Sequence, residues 1–273
     1  MTSPRSSAAD RRRFADLATF AAETASAVGD AIVVGNVGIV TRKRGRANFA
    51  TEADHAAERA IVERLTRRDP GVPVLAEESA RDELRKSERL WVVDPIDGTL
   101  NFSRAIPFYC VAVGYVEGGR VRAAAVHAPR LKETFVAAEG AGATLNGVPI
   151  AVSSTRRVSE AFAVTSLAFK GTARKDSRFV ALNATVARLR VIGSAALEIC
   201  YVAMGRLDLF VHESLEPWDV AGPQLVAREA GATVLALKTG ADAAWDERQV
   251  IIGNSAIVKD ALRVMPLVKP ARR

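Results

Sequence analysis

The chain reads as a layered α+β and α/β protein, with an antiparallel-rich first half packed on an α/β second half around a shared cleft. Three observations predict this. Apolar residues recur at a helical period over residues 10–32 and again over 51–65. Short apolar runs punctuated by glycine turns then continue to about residue 150. From about residue 151, strand-like and helix-like segments alternate. No repeat, low-complexity tract or long linker interrupts the 273 residues. The halves 1–150 and 151–273 are therefore expected to form one compact unit.

The first helix is carried by Phe14, Leu17, Ala21, Ala25, Val28 and Ile32. The second runs from Thr51 through Ala53, Ala57, Ala60, Ile61 and Leu65 and must end before Pro70. Val72 to Ala76 is a short strand leading to Glu77 and Glu78. Leu90 to Val93 is another, which delivers Asp94 to its end, where Pro95 is expected to stop the pairing because it has no N–H to donate. Tyr109–Val116 and Arg120–His127 flank Gly118-Gly119 as a hairpin. Glu133–Ala138 is a further strand, followed by Gly140, Gly142 and the turn pair Asn146-Gly147. In the second half, strands are expected near 161–167, 189–193, 207–212, 232–237 and 249–253. Helices are expected near 176–188, 195–204, 219–230 and 255–263.

Composition excludes several classes. Hydrophobic residues at 49% with 25% charge describe a folded domain, not a disordered one. No apolar run reaches transmembrane length, and the N-terminus lacks the apolar core of a secretory signal, so the expectation is a cytoplasmic protein with no membrane partner. Cys110 and Cys200 stand far apart and read as buried thiols. The net charge of +7 raises the question of nucleic acid, but the basic residues fall in short scattered clusters and aromatics make up only 6%. That pattern offers no stacking platform, and a solvated basic surface is the better reading. The cluster Arg42-Lys43-Arg44 with Arg46 is the exception, since it precedes a carboxylate-bearing segment and could steer anions toward it.

The most informative stretch is Trp91-Val-Val-Asp94-Pro-Ile96-Asp97-Gly98-Thr99-Leu-Asn101-Phe102. Asp94 and Asp97 can converge on one hard cation, with the Ile96 carbonyl as a further oxygen ligand. Gly98 allows close backbone approach, so the amides of Gly98 and Thr99 can face a phosphate. Oxygen ligands for Mg²⁺ beside donors for phosphate are the equipment of a metal-assisted phosphatase. A Pro-Asp-Gly turn alone would explain Asp-Gly-Thr, but it would not need the second acid at the strand end. Three further segments add to it. Leu75-Ala-Glu77-Glu78-Ser79 ends a strand in carboxylates. Pro217-Trp218-Asp219-Val-Ala-Gly222 opens a helix, where Asp219 could equally be an N-cap. Thr51-Glu-Ala-Asp54 has the form of a capping box.

Taken together, Asp-Pro-Ile-Asp-Gly-Thr-Leu-Asn-Phe, Glu-Glu-Ser and Trp-Asp-x-Ala-Gly resemble the signatures of the inositol monophosphatase family of Mg²⁺-dependent, Li⁺-sensitive phosphatases. The resemblance extends from about residue 14 to 263 and implies an αβαβα sandwich and a homodimer. It assigns Glu77, Asp94 and the Ile96 carbonyl to one Mg²⁺, and Asp94, Asp97 and Asp219 to a second. It places a third, labile ion near Asp54, with Lys43 at the spacing of a family lysine near that region. Glu77 and Thr99 would orient the attacking water, and the Gly98 and Thr99 amides would grip the phosphate. Glu78 is left as structural. Ile192-Gly193-Ser194-Ala195-Ala196 resembles the family turn against the alcohol part of the substrate, and it also reads as a strand-to-helix turn with Ser194 as N-cap. His212 stands where inositol-phosphate enzymes typically carry a Glu that binds hydroxyls, and Asn48 replaces a frequent acid, so inositol specificity is in question.

The chemistry calls for this set, because paired cations both activate a water and neutralise the anionic ester. The reading is Mg²⁺-dependent hydrolysis of a small phosphate monoester, inositol monophosphate or a related polyol or sugar phosphate. The alternatives keep the chemistry and change the substrate to histidinol phosphate, fructose 1,6-bisphosphate or 3′-phosphoadenosine 5′-phosphate. A basic nucleic-acid-binding protein on a degenerate phosphatase fold is the least favoured, since it would not need all four of Glu77, Asp94, Asp97 and Asp219.

Overall fold

The computed structural model describes residues 7–34, 41–42, 49–50, 52–165 and 178–265. Lys43, Asn48 and Thr51 lie outside the described residues, as do 166–177 of the expected strand and helix there. Five layers alternate. Helices α1 (Ala8–Val34) and α2 (Glu52–Arg68) cover one face of a seven-stranded sheet. That sheet is built from β3 (Val74–Ala76), β4 (Arg89–Asp97), β5 (Cys110–Glu117), β6 (Arg120–Ala128), β7 (Glu133–Ala138), β8 (Gly142–Leu145) and β9 (Val148–Pro149), in that spatial order. Its other face packs on α5 (Ala195–Ala203) and α6 (Pro217–Glu229). Beyond them lies a five-stranded sheet of β10 (Phe162–Thr165), β11 (Arg188–Arg190), β12 (Leu209–His212), β13 (Thr233–Ala236) and β14 (Val250–Gly253), ordered β11-β10-β12-β14-β13. Helices α4 (Arg178–Thr185) and α7 (Ser255–Val264) close the outer face. The short α3 (Thr99–Ser103) follows β4, and β1 (Thr41–Arg42) pairs with β2 (Phe49–Ala50). This is the αβαβα arrangement.

Strand periodicity explains the layering. Along β4, Trp91 and Val93 enter the core under α1 and α2, while Leu90 and Val92 enter the core under α5 and α6. The apolar runs are continuous because both faces of each sheet are buried, which removes the alternation expected of a half-solvated strand. The large sheet is antiparallel except at β3–β4, and the small one combines parallel β11-β10-β12 with antiparallel pairs at β12–β14 and β13–β14. The Asn146-Gly147 pair takes positive φ at both residues, 50° and 80°, and links β8 to β9 as a primed turn.

Three expectations are corrected. The first helix begins earlier than residue 10, because Ser7 and Asp10 form a reciprocal cap: the Asp10 amide donates to Ser7 Oγ at 3.1 Å and the Ser7 amide to Asp10 Oδ2 at 3.2 Å. The helix expected from 219 starts at Pro217, whose missing N–H costs nothing in the first turn. Pro95 does not end its strand. β4 continues to Asp97 through a bulge, since Asp94 opposes Ala112 and Asp97 opposes Cys110. The extra residue takes the proline out of the regular ladder, so its lack of a donor is tolerated.

Candidate active site and metal centre

The bulge is what makes the acidic pair a site. On a regular strand, residues three apart point to opposite faces. One inserted residue reverses that parity and turns Asp94 and Asp97 to the same side. Asp219 joins them from the first turn of α6. There it occupies the third helical position, not the N-cap position considered above. Glu216 is the N-cap, and the Glu216 amide donates to Asp219 Oδ2 at 2.8 Å in a capping box. Helix α6 can lie this close to the sheet because Gly222 faces Gly114 of β5, where a Cβ on Gly114 would stand 3.1 Å from the Gly222 nitrogen.

Ligand atoms of Asp94, Asp97 and Asp219 lie within 4.8 Å of one another. Asp94 and Asp97 are buried, and among the described residues Asp94 Oδ1 has no hydrogen-bond partner. Burial, and then the charges of Glu77, Asp97, Asp219 and Asp54, push the Asp94 carboxyl well above its ordinary range. Asp219 is raised by burial and then chiefly by Asp97, and Asp97 by burial against four hydrogen bonds that oppose it. Among the described residues no Lys, Arg or His pairs with any of the three. Buried, converging, mutually repelling oxygens, one of them orphaned, fit a hard divalent cation.

Glu77 follows β3 and its charge acts on Asp94, but the carboxylates that converge among the described residues are those of Asp94, Asp97 and Asp219. Asp54, fully buried on α2, accepts a hydrogen bond from Thr99 Oγ1 at 2.9 Å; that hydroxyl also lies 3.1 Å from the Ile96 carbonyl. Gly98 takes φ +92° at the start of α3, and a Cβ there would stand 3.0 Å from the Phe108 carbonyl and 3.2 Å from the Gly193 carbonyl. The Gly98 and Gly193 turns are thus neighbours despite their separation in the chain.

Ser194 occupies the N-cap position of α5, but its side chain does not cap the helix. Asp97 does so instead. Its Oδ2 accepts from the Ala196 amide at 2.8 Å and from Ser194 Oγ at 2.5 Å, and its Oδ1 lies 3.3 Å from the Ala195 amide. Cys110 Sγ stands 3.7 Å from Asp97 Oδ2. A carboxylate at a helix N-terminus is stabilised by the free amides, so Asp97 is held by the helix that follows the Gly193 turn. His212 ends β12, stacks on Phe210 at 5.8 Å and accepts from the Ser214 amide at Nδ1 (3.0 Å). That bond leaves Nε2 as the donor of the neutral ring. Lys43 lies outside the described residues.

Several side chains that build the site were not singled out from sequence. Asn101 Nδ2 donates to the Phe108 carbonyl (2.7 Å) and the Ile192 carbonyl (2.8 Å), tying α3 to the Gly193 turn. Glu198, buried on α5, accepts from the Ile192 and Gly193 amides at 2.7 and 3.0 Å, and its burial pushes the carboxyl up to about 7. Its only sequence signal is an acid in an otherwise apolar helix. Glu58 accepts from the Glu78 amide at 2.7 Å.

A family model for the inositol monophosphatase family matches residues 12–265. The Thermotoga maritima protein named fructose-1,6-bisphosphatase/inositol-1-monophosphatase is 36% identical over 231 residues, covering 85% of this chain and 88% of that one. The Escherichia coli K12 protein named Nus factor SuhB is 34% identical over 229 residues, covering 82% and 84%. Among solved structures, a Thermotoga maritima IMPase superposes with TM-score 0.82 at 34% identity, over 92% of this chain and 96% of that one. The SuhB extragenic suppressor protein of Bartonella henselae gives 0.85 at 30%, over 93% and 100%. The chain belongs to the inositol monophosphatase family. It is a phosphoric monoester hydrolase.

Proposed function

We propose that the protein hydrolyses a small phosphate monoester in a Mg²⁺-dependent reaction, with inositol monophosphate or a related polyol or sugar phosphate as substrate. The observation that carries this is the convergence of buried Asp94 and Asp97 with half-buried Asp219, with an orphaned Asp94 oxygen, beside two glycine turns that adjoin each other. Glu77, Asp94 and the Ile96 carbonyl would hold one Mg²⁺, and Asp94, Asp97 and Asp219 a second; Asp54 borders the region of a third. When bound, such cations activate water and offset charge on the phosphoryl oxygens. The protein's own part is orientation. Asp54 holds the Thr99 hydroxyl, whose oxygen can accept from a water that Glu77 also contacts. The Gly98 and Thr99 amides face the phosphate, and the Gly193–Ala195 turn with His212 faces the alcohol.

A homodimer in the cytoplasm, inhibited by Li⁺, is part of the same reading; among the described residues, no helix is long and apolar enough to cross a membrane. The test is release of phosphate from a panel of inositol 1-phosphate, histidinol phosphate, fructose 1,6-bisphosphate, 3′-phosphoadenosine 5′-phosphate and a sugar monophosphate, with Mg²⁺ and with EDTA. Mg²⁺-dependent turnover of at least one ester is expected. No release from any of them, alongside salt-sensitive nucleic-acid binding, would replace this reading with the binding-protein one.

A further inference from the structure

Helix α2 places Asp54 and Glu58 at i and i+4, on one face and one turn apart. Both carboxylates are withdrawn from solvent, Asp54 fully and Glu58 to 6% exposure. Burying an acid is costly unless its oxygens are satisfied, and here each is used on a different loop of the site. Asp54 accepts from the Thr99 hydroxyl, and Glu58 Oε2 accepts from the Glu78 amide at 2.7 Å across twenty residues of sequence.

The second bond matters because of which peptide it holds. The Glu78 N–H belongs to the peptide plane that follows Glu77, so anchoring it restrains ψ of Glu77 and with it the direction in which that side chain leaves the backbone. Sheet pairing does not do this. Strand β3 is three residues long, and its last pair is Ala76 with Val93. Glu77 follows the last paired residue, and the peptide on its C-terminal side is the one whose N–H Glu58 accepts.

We propose that Glu58 is a positioning residue of the metal centre: by holding the Glu77–Glu78 peptide it aims Glu77 at Asp94, and its contribution appears as divalent-cation affinity. This rests on the reading of Glu77 as a ligand given above. Partners that orient metal ligands without touching the ion typically affect affinity by about 10- to 100-fold. In this case the lever is a hydrogen bond to backbone, so a neutral acceptor of the same shape should replace the carboxylate.

The test uses the full chain, titrated with Mn²⁺ and followed by the electron paramagnetic resonance signal of the free ion, with thermal melts in EDTA run alongside. Wild type should bind Mn²⁺ and Glu77→Ala should lose the tight site, which establishes the underlying reading separately. Glu58→Ala should then bind about tenfold or more weakly, and Glu58→Gln should recover to within about threefold of wild type because its amide oxygen accepts the same bond. Unchanged affinity in Glu58→Ala with a lowered melting temperature would make Glu58 a fold residue only and overturn the proposal. So would a Gln variant as weak as Ala, since charge and not position would then be what counts. Should the Ala variant not fold, Glu58→Asp keeps the charge but withdraws it by one methylene. Weakened binding in that variant supports the proposal, and wild-type binding refutes it.

Discussion

Replacing Asp94 with Asn should stabilise the metal-free protein while abolishing turnover. The carboxylates of Asp97 and Asp219 each approach Asp94 to within 4.8 Å. Two unit charges at that separation repel by about 3.5 kcal/mol at an effective dielectric of about 20, so full ionisation beside both neighbours would cost about 7 kcal/mol. Proton uptake relieves most of this, which is why burial and the surrounding acids hold the Asp94 carboxyl so high. Asn carries no charge to repel its neighbours, and its amide N–H groups can donate to the carboxylates of Asp97 or Asp219, a gain of about 1–3 kcal/mol. At about 2–4 °C per kcal/mol for a chain of this size, the melting temperature in EDTA should rise by roughly 2–12 °C. Adding Mg²⁺ should raise the melting temperature of wild type, because a ligand of the native state stabilises it by mass action. The variant should gain much less. Phosphate release should fall by a factor of about 100 or more, as expected when a ligand shared between ions loses its charge. The assay is differential scanning fluorimetry with EDTA and with Mg²⁺, beside a phosphate-release assay. An Asn variant less stable than wild type in EDTA, or one that Mg²⁺ stabilises equally, would refute the account of the cluster as an electrostatically strained cation site.

Asp54→Asn keeps an oxygen for the Thr99 hydroxyl and removes only charge, so it should raise the Mg²⁺ concentration for half-maximal activity; an unchanged activation curve would leave Asp54 as a clasp for Thr99 alone. Glu198 has a folded-state pKa of about 7, raised from 4.5 mainly by burial, so it binds an extra proton in the native state and its contribution to stability is lost as pH rises from about 4.5 through 7. Chemical denaturation in EDTA should show Glu198→Gln flattening the pH 5–8 slope by about 3 kcal/mol, and an identical slope would contradict the burial argument. His212→Glu exchanges the Nε2 donor for an acceptor-only group and should shift kcat/KM toward inositol 1-phosphate relative to histidinol phosphate. Equal substrate ratios in the two proteins would show that His212 does not face the substrate.

Most of the long elements, and the class of protein, were legible in the residue pattern. Helical and strand periods placed the long helices and the longer strands but not α3 or the short strands β1, β2, β8 and β9, because two sheets buried on both faces leave apolar runs that glycine, proline and polar turns interrupt. The acidic motifs announced an oxygen-rich cation site, since carboxylates beside a glycine turn carry their chemistry in their residue types. Tertiary structure decided the rest. Only pairing with β5 reveals that Pro95 sits in a bulge, and that this bulge turns Asp94 and Asp97 to one side. Only the packing of α5 against β4 shows that Asp97, and not Ser194, caps that helix. The supporting side chains Asn101, Glu198 and Glu58 have partners 7, 91, 6, 5 and 20 residues away. A carboxylate that will clasp a backbone amide looks, in the chain alone, like any other carboxylate. Its meaning is set by which amide the fold brings within 3 Å, and that distance exists only once the layers have closed.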